Sequence, residues 1–210
     1  MPISHDKKLI FIHIPKTGGS AISQAMGIDR DGVDNLNQNN LNDCIYYENK
    51  WWLPIHLPAR AIKELYPEVY FNYHKFTVVR NPYYRLLSAY FDKVKLDCPY
   101  NIIFDNLNPD HFADWVWKIK EGEILNEHVR LQSEYIIWED DIQLIRYDYL
   151  KKAWIDFSSS FNLPMYLPRV NESNLERPTA EYFCEIYSET IKIINEIYAE
   201  DFENLKYRTL

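Results

Sequence analysis

The sequence predicts an α/β domain built on a small, mostly parallel sheet with helices on both faces. Three observations predict it. Leu9-Ile10-Phe11-Ile12 and Phe76-Thr77-Val78-Val79 are short apolar runs of β-branched and aromatic type, as in strands buried on both faces. Each run is followed by a turn and then by apolar residues at helical spacing. Each turn carries a cation, Lys16 after the first run and Arg80 after the second. In parallel α/β sheets ligands bind outside the carboxyl ends of the strands, so Lys16 and Arg80 are expected on one rim.

The chain has 210 residues, which suits a single domain spanning 1–210, with no internal repeat or low-complexity linker. Its net charge of −8 disfavours a general nucleic-acid binder, and any anion-binding cations must be concentrated at one site. The three cysteines, Cys44, Cys98 and Cys184, lack metal or redox spacing and read as reduced thiols in a cytoplasmic protein. No apolar stretch of signal-peptide or membrane-span length is present in the sequence.

Taken in order, residues 1–8 are a polar lead-in to the first strand, which Pro15 stops. Lys16-Thr17-Gly18-Gly19-Ser20 then supplies a cation, two hydroxyls and two glycines in five residues. A helix begins at Ala21, with Ile22, Ala25 and Met26 on its apolar face. Strand, glycine turn and helix together cradle phosphate: glycines admit the backbone, and N–H groups point inward. The nucleotide-binding pattern G-x-x-x-x-G-K-[ST] is not matched, because Lys16 precedes the glycine pair. An ordinary turn carrying a chance lysine is the alternative.

Residues 29–43, rich in Asn and Asp, read as a surface loop near the substrate entrance. Residues 44–52 form a short strand or a rim ending in Trp51-Trp52. His56 lies just before a short helix that starts near Pro58 and carries Ile62 and Leu65. At that loop position a side chain either points into a cleft or makes only a local hydrogen bond. After the second strand a helix runs through 85–92. Leu86, Leu87, Tyr90, Phe91 and Val94 form its apolar face, and Arg85, Ser88 and Asp92 a different edge. A metal-dependent nucleotide hydrolase wants a carboxylate where this strand ends; the chain has Arg80 there.

Residues 109–122 are helical, with Phe112, Trp115, Val116 and Ile119 inward and Gly122 at the end. In 126–138, His128 and Gln132 share a face if the segment is helical. A third strand covers 143–147, followed by a helix through Phe161. Residues 164–174 are irregular and polar, with Arg169, Asn171 and Ser173, and 178–205 are mostly helical.

The pair IPKTGGS and FTVVRNPYYRLLSAY resembles the two cofactor-binding signatures of sulfotransferases. The variant looks like the carbohydrate-type branch that includes heparan sulfate 2-O-sulfotransferase and bacterial relatives, and NEHVRLQSEYI and PRVNESN resemble its later blocks. The resemblance implies a fold similar to P-loop kinases and transfer of a sulfuryl group from 3′-phosphoadenosine 5′-phosphosulfate (PAPS), without metal. The acceptor is a hydroxyl or amine, here expected on a carbohydrate, and 3′,5′-ADP is the product.

Carried over by position, Lys16 contacts the 5′ phosphosulfate, with Thr17, Gly18, Gly19 and Ser20 completing that loop. Arg80 and Ser88 contact the 3′-phosphate. His56 is the base, with His128 as the other candidate. Asp148 stands where a glutamate is expected, and Glu172 where a small or basic residue is commoner. The short chain implies no membrane anchor or stem. Tyr46, Tyr47, Trp51 and Trp52 are expected either to stack on a sugar or to be core, and Tyr83 and Tyr84 to line the cleft beside Arg80. Two alternatives remain open at this stage. A small-molecule kinase would use ATP and magnesium; a non-catalytic relative would bind nucleotide or glycan without transfer.

Overall fold

A computed structural model describes residues 3–28, 44–97, 109–168 and 188–210. The chain forms two compact units, one from Met1–Arg80 and Gln132–Asn171, the other from Asn81–Leu131 and Glu172–Leu210.

The first unit holds a four-stranded sheet of β1 (Ile3–Ser4), β2 (Leu9–Ile12), β5 (His74–Val79) and β6 (Ile142–Arg146), in that order. β1 is antiparallel to β2, whereas β2–β5 and β5–β6 are parallel, with Phe11 opposite Phe76 and Val78 opposite Ile145. All four residues of β2 are fully buried, as their unbroken apolar run requires of a strand covered on both faces.

Alternation sorts the two faces. Leu9, Phe11, Phe76, Val78 and Ile145 pack against Ile22, Ala25 and Met26 of α1 (Gly19–Ala25) and its C-cap, and against Leu150, Trp154 and Phe157 of α6 (Leu150–Ser160). Lys75 points the other way. Its Nζ donates to the Tyr70 and Tyr73 carbonyls, both at 3.0 Å, tying that face to α3 (Pro67–Asn72). Helices therefore cover both faces, and the predicted α/β architecture is the one observed. Between β2 and β5 stand α2 (Ala59–Leu65) and a hairpin, β3 (Ile45–Tyr47) with β4 (Lys50–Trp52).

The second unit is helical: α4 (Pro82–Asp97), α5 (Pro109–Lys120), α7 (Ser188–Ile197) and α8 (Ala199–Asn204). Its core joins Leu86, Leu87, Tyr90, Phe112, Trp115, Val116, Ile194, Tyr198 and Phe202. The Tyr198 hydroxyl donates to the Val129 carbonyl at 2.6 Å.

Several expectations are corrected. α1 begins at Gly19, not Ala21, and α4 at Pro82, not residue 85. Residues 126–138 are not an α-helix. The Asn126 side chain accepts from the His128 N–H, an Asx-type turn, and only Ser133–Tyr135 makes a 3₁₀ turn. Arg85, expected on a different edge from the apolar face, is fully buried, with Nη1 donating to the Arg130 carbonyl at 2.8 Å. Tyr83 belongs to the core of the second unit, where its hydroxyl bonds the Asn195 side chain. The C-terminal helical stretch breaks at Tyr198. The loop 29–43, Cys98, Cys184, Arg169, Asn171, Glu172 and Ser173 lie outside the described residues.

Candidate active site

The site is built in the first unit, on the turns after three parallel strands. β2 runs through His13 and Ile14 into the turn, which Thr17 closes by donating its hydroxyl to the Ile14 carbonyl at 2.8 Å. The next residues need unusual backbone. Gly18 has φ +89°, and Lys16 itself sits at φ +69°, in the left-handed region. For a non-glycine residue that conformation costs about 1–2 kcal/mol, so something must hold it.

Arg80 holds it. The guanidinium Nη1 donates to the Lys16 carbonyl at 2.8 Å, and the buried Arg80 side chain bridges the ends of β2 and β5. Its guanidinium carbon lies 4.4 Å above the Tyr147 ring centre, a cation–π contact. Tyr147 stands just past β6, and its ring edge is 3.2 Å from where a Cβ on Gly18 would fall. The ring is thus set between the glycine turn and the arginine. The Arg80 backbone is fixed as well. Gln132, fully buried, accepts from the Arg80 N–H at 2.9 Å and donates from Nε2 to the Arg80 carbonyl at 2.8 Å. One amide side chain therefore serves as a rung of the ladder where β5 ends.

His56 ends a 3₁₀ turn, Pro54–His56, and is buried. Its ring meets the His13 ring edge to face, with centroids 4.7 Å apart. His13 in turn stacks on Phe11 at 5.2 Å. A Cβ on Gly19 would fall 1.8 Å from His13 Nε2, so the second glycine is required by the histidine ring beside it. α2, which begins three residues after His56, is pinned through Lys63. Its Nζ pairs with Asp140 Oδ2 at 2.9 Å, and the Tyr70 hydroxyl donates to the same oxygen at 2.8 Å. Lys63 and the Tyr70 hydroxyl hold the Asp140 carboxyl below its usual range. Burial, then Asp140, pushes the Tyr70 phenol above its own.

Of the residues expected at the site, Lys16, Thr17, Gly18, Gly19, Ser20 and Arg80 share one loop system, and His56 reaches it through His13. Ser88 lies half-buried on α4 of the second unit, and His128 belongs to that unit too. Sequence reasoning missed His13, Gln132 and Tyr147. The third strand, predicted over 143–147, takes in Tyr147, but that strand ends at Arg146, so Tyr147 follows it as Lys16 and Arg80 follow the first two. Of the four aromatic residues named in the hairpin, Trp52 is core, packed edge-on to Tyr135 at 5.2 Å. Tyr47 donates its hydroxyl to Glu64 at 2.8 Å. Tyr46 and Trp51, paired across the strands with ring centres 4.9 Å apart, are 57% and 48% exposed and face outward.

Among the described residues, no group of three or more His, Cys, Asp or Glu is arranged to hold a metal ion, and no helix is long and apolar enough to cross a membrane. A cleft lined by Ser4, His5, Lys7, Met26 and Asn162 opens at the opposite ends of the strands from the loop.

No curated protein and no solved structure matches the chain. The model of the sulfotransferase family matches residues 1–208, which takes in both turns and all three parallel strands. With that match covering all but two of the 210 residues, the chain belongs to the sulfotransferase family.

Proposed function

We propose that this protein transfers the sulfuryl group of PAPS to a hydroxyl, on a carbohydrate acceptor, with His56 as the base. The observation that carries this is the bond from Arg80 to the Lys16 carbonyl, which ties together the turns at two strand ends that each carry a cation. The residues present fit a doubly phosphorylated adenosine. A lysine on a left-handed turn, two glycines and a buried arginine make a compact anion cradle in a chain whose net charge is −8.

PAPS supplies an activated sulfuryl group on a phosphate leaving group. Lys16 and the Thr17–Ser20 turn bind its 5′ side, and Lys16 neutralises charge that builds on the leaving oxygen. Such a donor is worth about 3–4 kcal/mol. Arg80 selects the 3′-phosphate, as does Ser88 by the family resemblance. His56 takes the proton from the attacking hydroxyl, a step worth about 10²–10⁴-fold. The outward rings of Tyr46 and Trp51 support a sugar face as acceptor, because aromatic rings offer apolar area beside polar groups. Asn49, which accepts from the Tyr46 hydroxyl, supplies such a group at the hairpin turn, and next to it Lys50 pairs with Glu134. The carbohydrate-type branch is the one that these features and the sequence signatures favour.

A thermal-shift panel tests the donor class, since a ligand that binds only the folded state raises its stability. We expect 3′,5′-ADP to raise the melting temperature without magnesium and ATP to have little effect with or without it. Stabilisation by ATP with magnesium alone would favour the kinase reading.

A further inference from the structure

His13 immediately precedes the loop motif, yet the donor-binding and proton-transfer roles proposed above do not use it. It is buried, and three neighbours pack against its ring. One ring face stacks on Phe11 at 5.2 Å; His56 meets it edge to face at 4.7 Å; and its Nε2 occupies space that any Cβ on Gly19 would enter, at 1.8 Å. A rigid ring thus stands between the glycine turn and His56. Because interiors are close-packed, displacement of one neighbour is passed to the next.

We infer that His13 is a positioning residue: it sets the orientation of the His56 ring and transmits occupancy of the Lys16–Ser20 loop to it. This rests on the proposed donor loop and base. The base would then be aligned when the donor is in place. Alignment of this kind matters because a misplacement of about 1 Å costs on the order of a hundredfold in rate. The contacts to Phe11, His56 and Gly19 are made by the ring's faces and edge, so phenylalanine is expected to replace His13 in this role and alanine is not.

The test needs no acceptor. Two-bond ¹H–¹⁵N correlation spectra resolve the six imidazoles, His5, His13, His56, His74, His111 and His128. In the wild-type protein, 3′,5′-ADP should shift the His56 signals. In His13→Ala the nucleotide should bind within about threefold of wild type while the His56 signals no longer respond, and His13→Phe should restore the response. Unchanged signals of His5, His74 and His111 report an intact fold. Gly19→Ala gives an independent check, because its methyl drives the His13 ring aside and should displace the His56 signals with no nucleotide present. A full His56 response in His13→Ala, a lost response in His13→Phe, or undisplaced signals in Gly19→Ala would each overturn the inference alone. Failure of the wild-type protein to bind 3′,5′-ADP would overturn the donor assignment and this inference with it.

Discussion

Replacing Gly19 by alanine tests the packing of the loop most sharply. The added Cβ would lie 1.8 Å from His13 Nε2, 2.1 Å from Cδ2 and 2.4 Å from Cε1, against about 3.4 Å for ordinary contact. The ring must therefore retreat by roughly 1.6 Å. It is not the free end of a flexible chain: Phe11 stacks on it and His56 abuts it. Overpacking of this kind costs about 1–3 kcal/mol. At about 2–4 °C per kcal/mol for a chain of this size, the melting temperature should fall by roughly 2–12 °C. Gly27→Ala is the control, because its Cβ meets nothing within 4 Å and only its φ of +68° is strained; a loss of about 1 kcal/mol is expected there. Calorimetric melting of Gly19→Ala, His13→Ala and the double variant completes the cycle. Alanine at 13 vacates the space, so the double variant should be less destabilised than the sum of the single ones by about 1 kcal/mol or more. A Gly19→Ala protein that melts with the wild type, or an additive cycle, would refute the reasoning.

Gln132→Leu removes both bonds to the Arg80 backbone and leaves a buried N–H and carbonyl without them. Urea unfolding should show a loss of about 2–5 kcal/mol, and a change under 1 kcal/mol would count against the rung. Asp140 carries a carboxyl whose folded pKa is lowered by Lys63 and Tyr70. Its contribution to stability is therefore present above the usual carboxylate range and is lost as pH falls through the lowered folded value. The gap in urea midpoint between wild type and Asp140→Asn should shrink on acidification; a constant gap would contradict the pairing. Trp51→Ala should raise the acceptor KM while leaving 3′,5′-ADP affinity unchanged, and an unaltered KM would remove the hairpin from acceptor binding.

The parallel strands were legible because a strand buried on both faces must be an unbroken apolar run, as Leu9–Ile12 is. The meeting of the Lys16 and Arg80 turns was legible because residues just past the carboxyl ends of neighbouring parallel strands share one rim. His13 was not, since an imidazole continuing an apolar strand reads as part of it; only the missing Cβ of Gly19 exposes its place. Gln132 was hidden more deeply. Its partner is 52 residues away, and no local periodicity marks an amide that completes another strand's ladder. The shared helical face of His128 and Gln132, conditional on a helix over 126–138, does not form, because an Asx turn at Asn126 and the long-range bonds of Gln132 set the local backbone. Trp51 and Trp52 stood together as sugar-stacking or core in the sequence, and burial in the hairpin separates them, with Trp52 core and Trp51 outward. Two compact units were also not foreseen, as the chain changes unit at Arg80, Leu131 and Asn171 without a linker-like composition.

The central claim is that Arg80, bound to the loop of Lys16, recognises a 3′-phosphate. Calorimetric titration of 3′,5′-ADP and 5′-AMP into wild type and Arg80→Ala tests it most directly. A charge-assisted bond of about 1.5–3 kcal/mol predicts that Arg80→Ala lowers the wild-type preference for 3′,5′-ADP by roughly 10- to 150-fold, leaving at most the smaller share that Ser88 supplies. A preference undiminished by loss of Arg80, or a wild-type protein that binds both nucleotides equally, would contradict it.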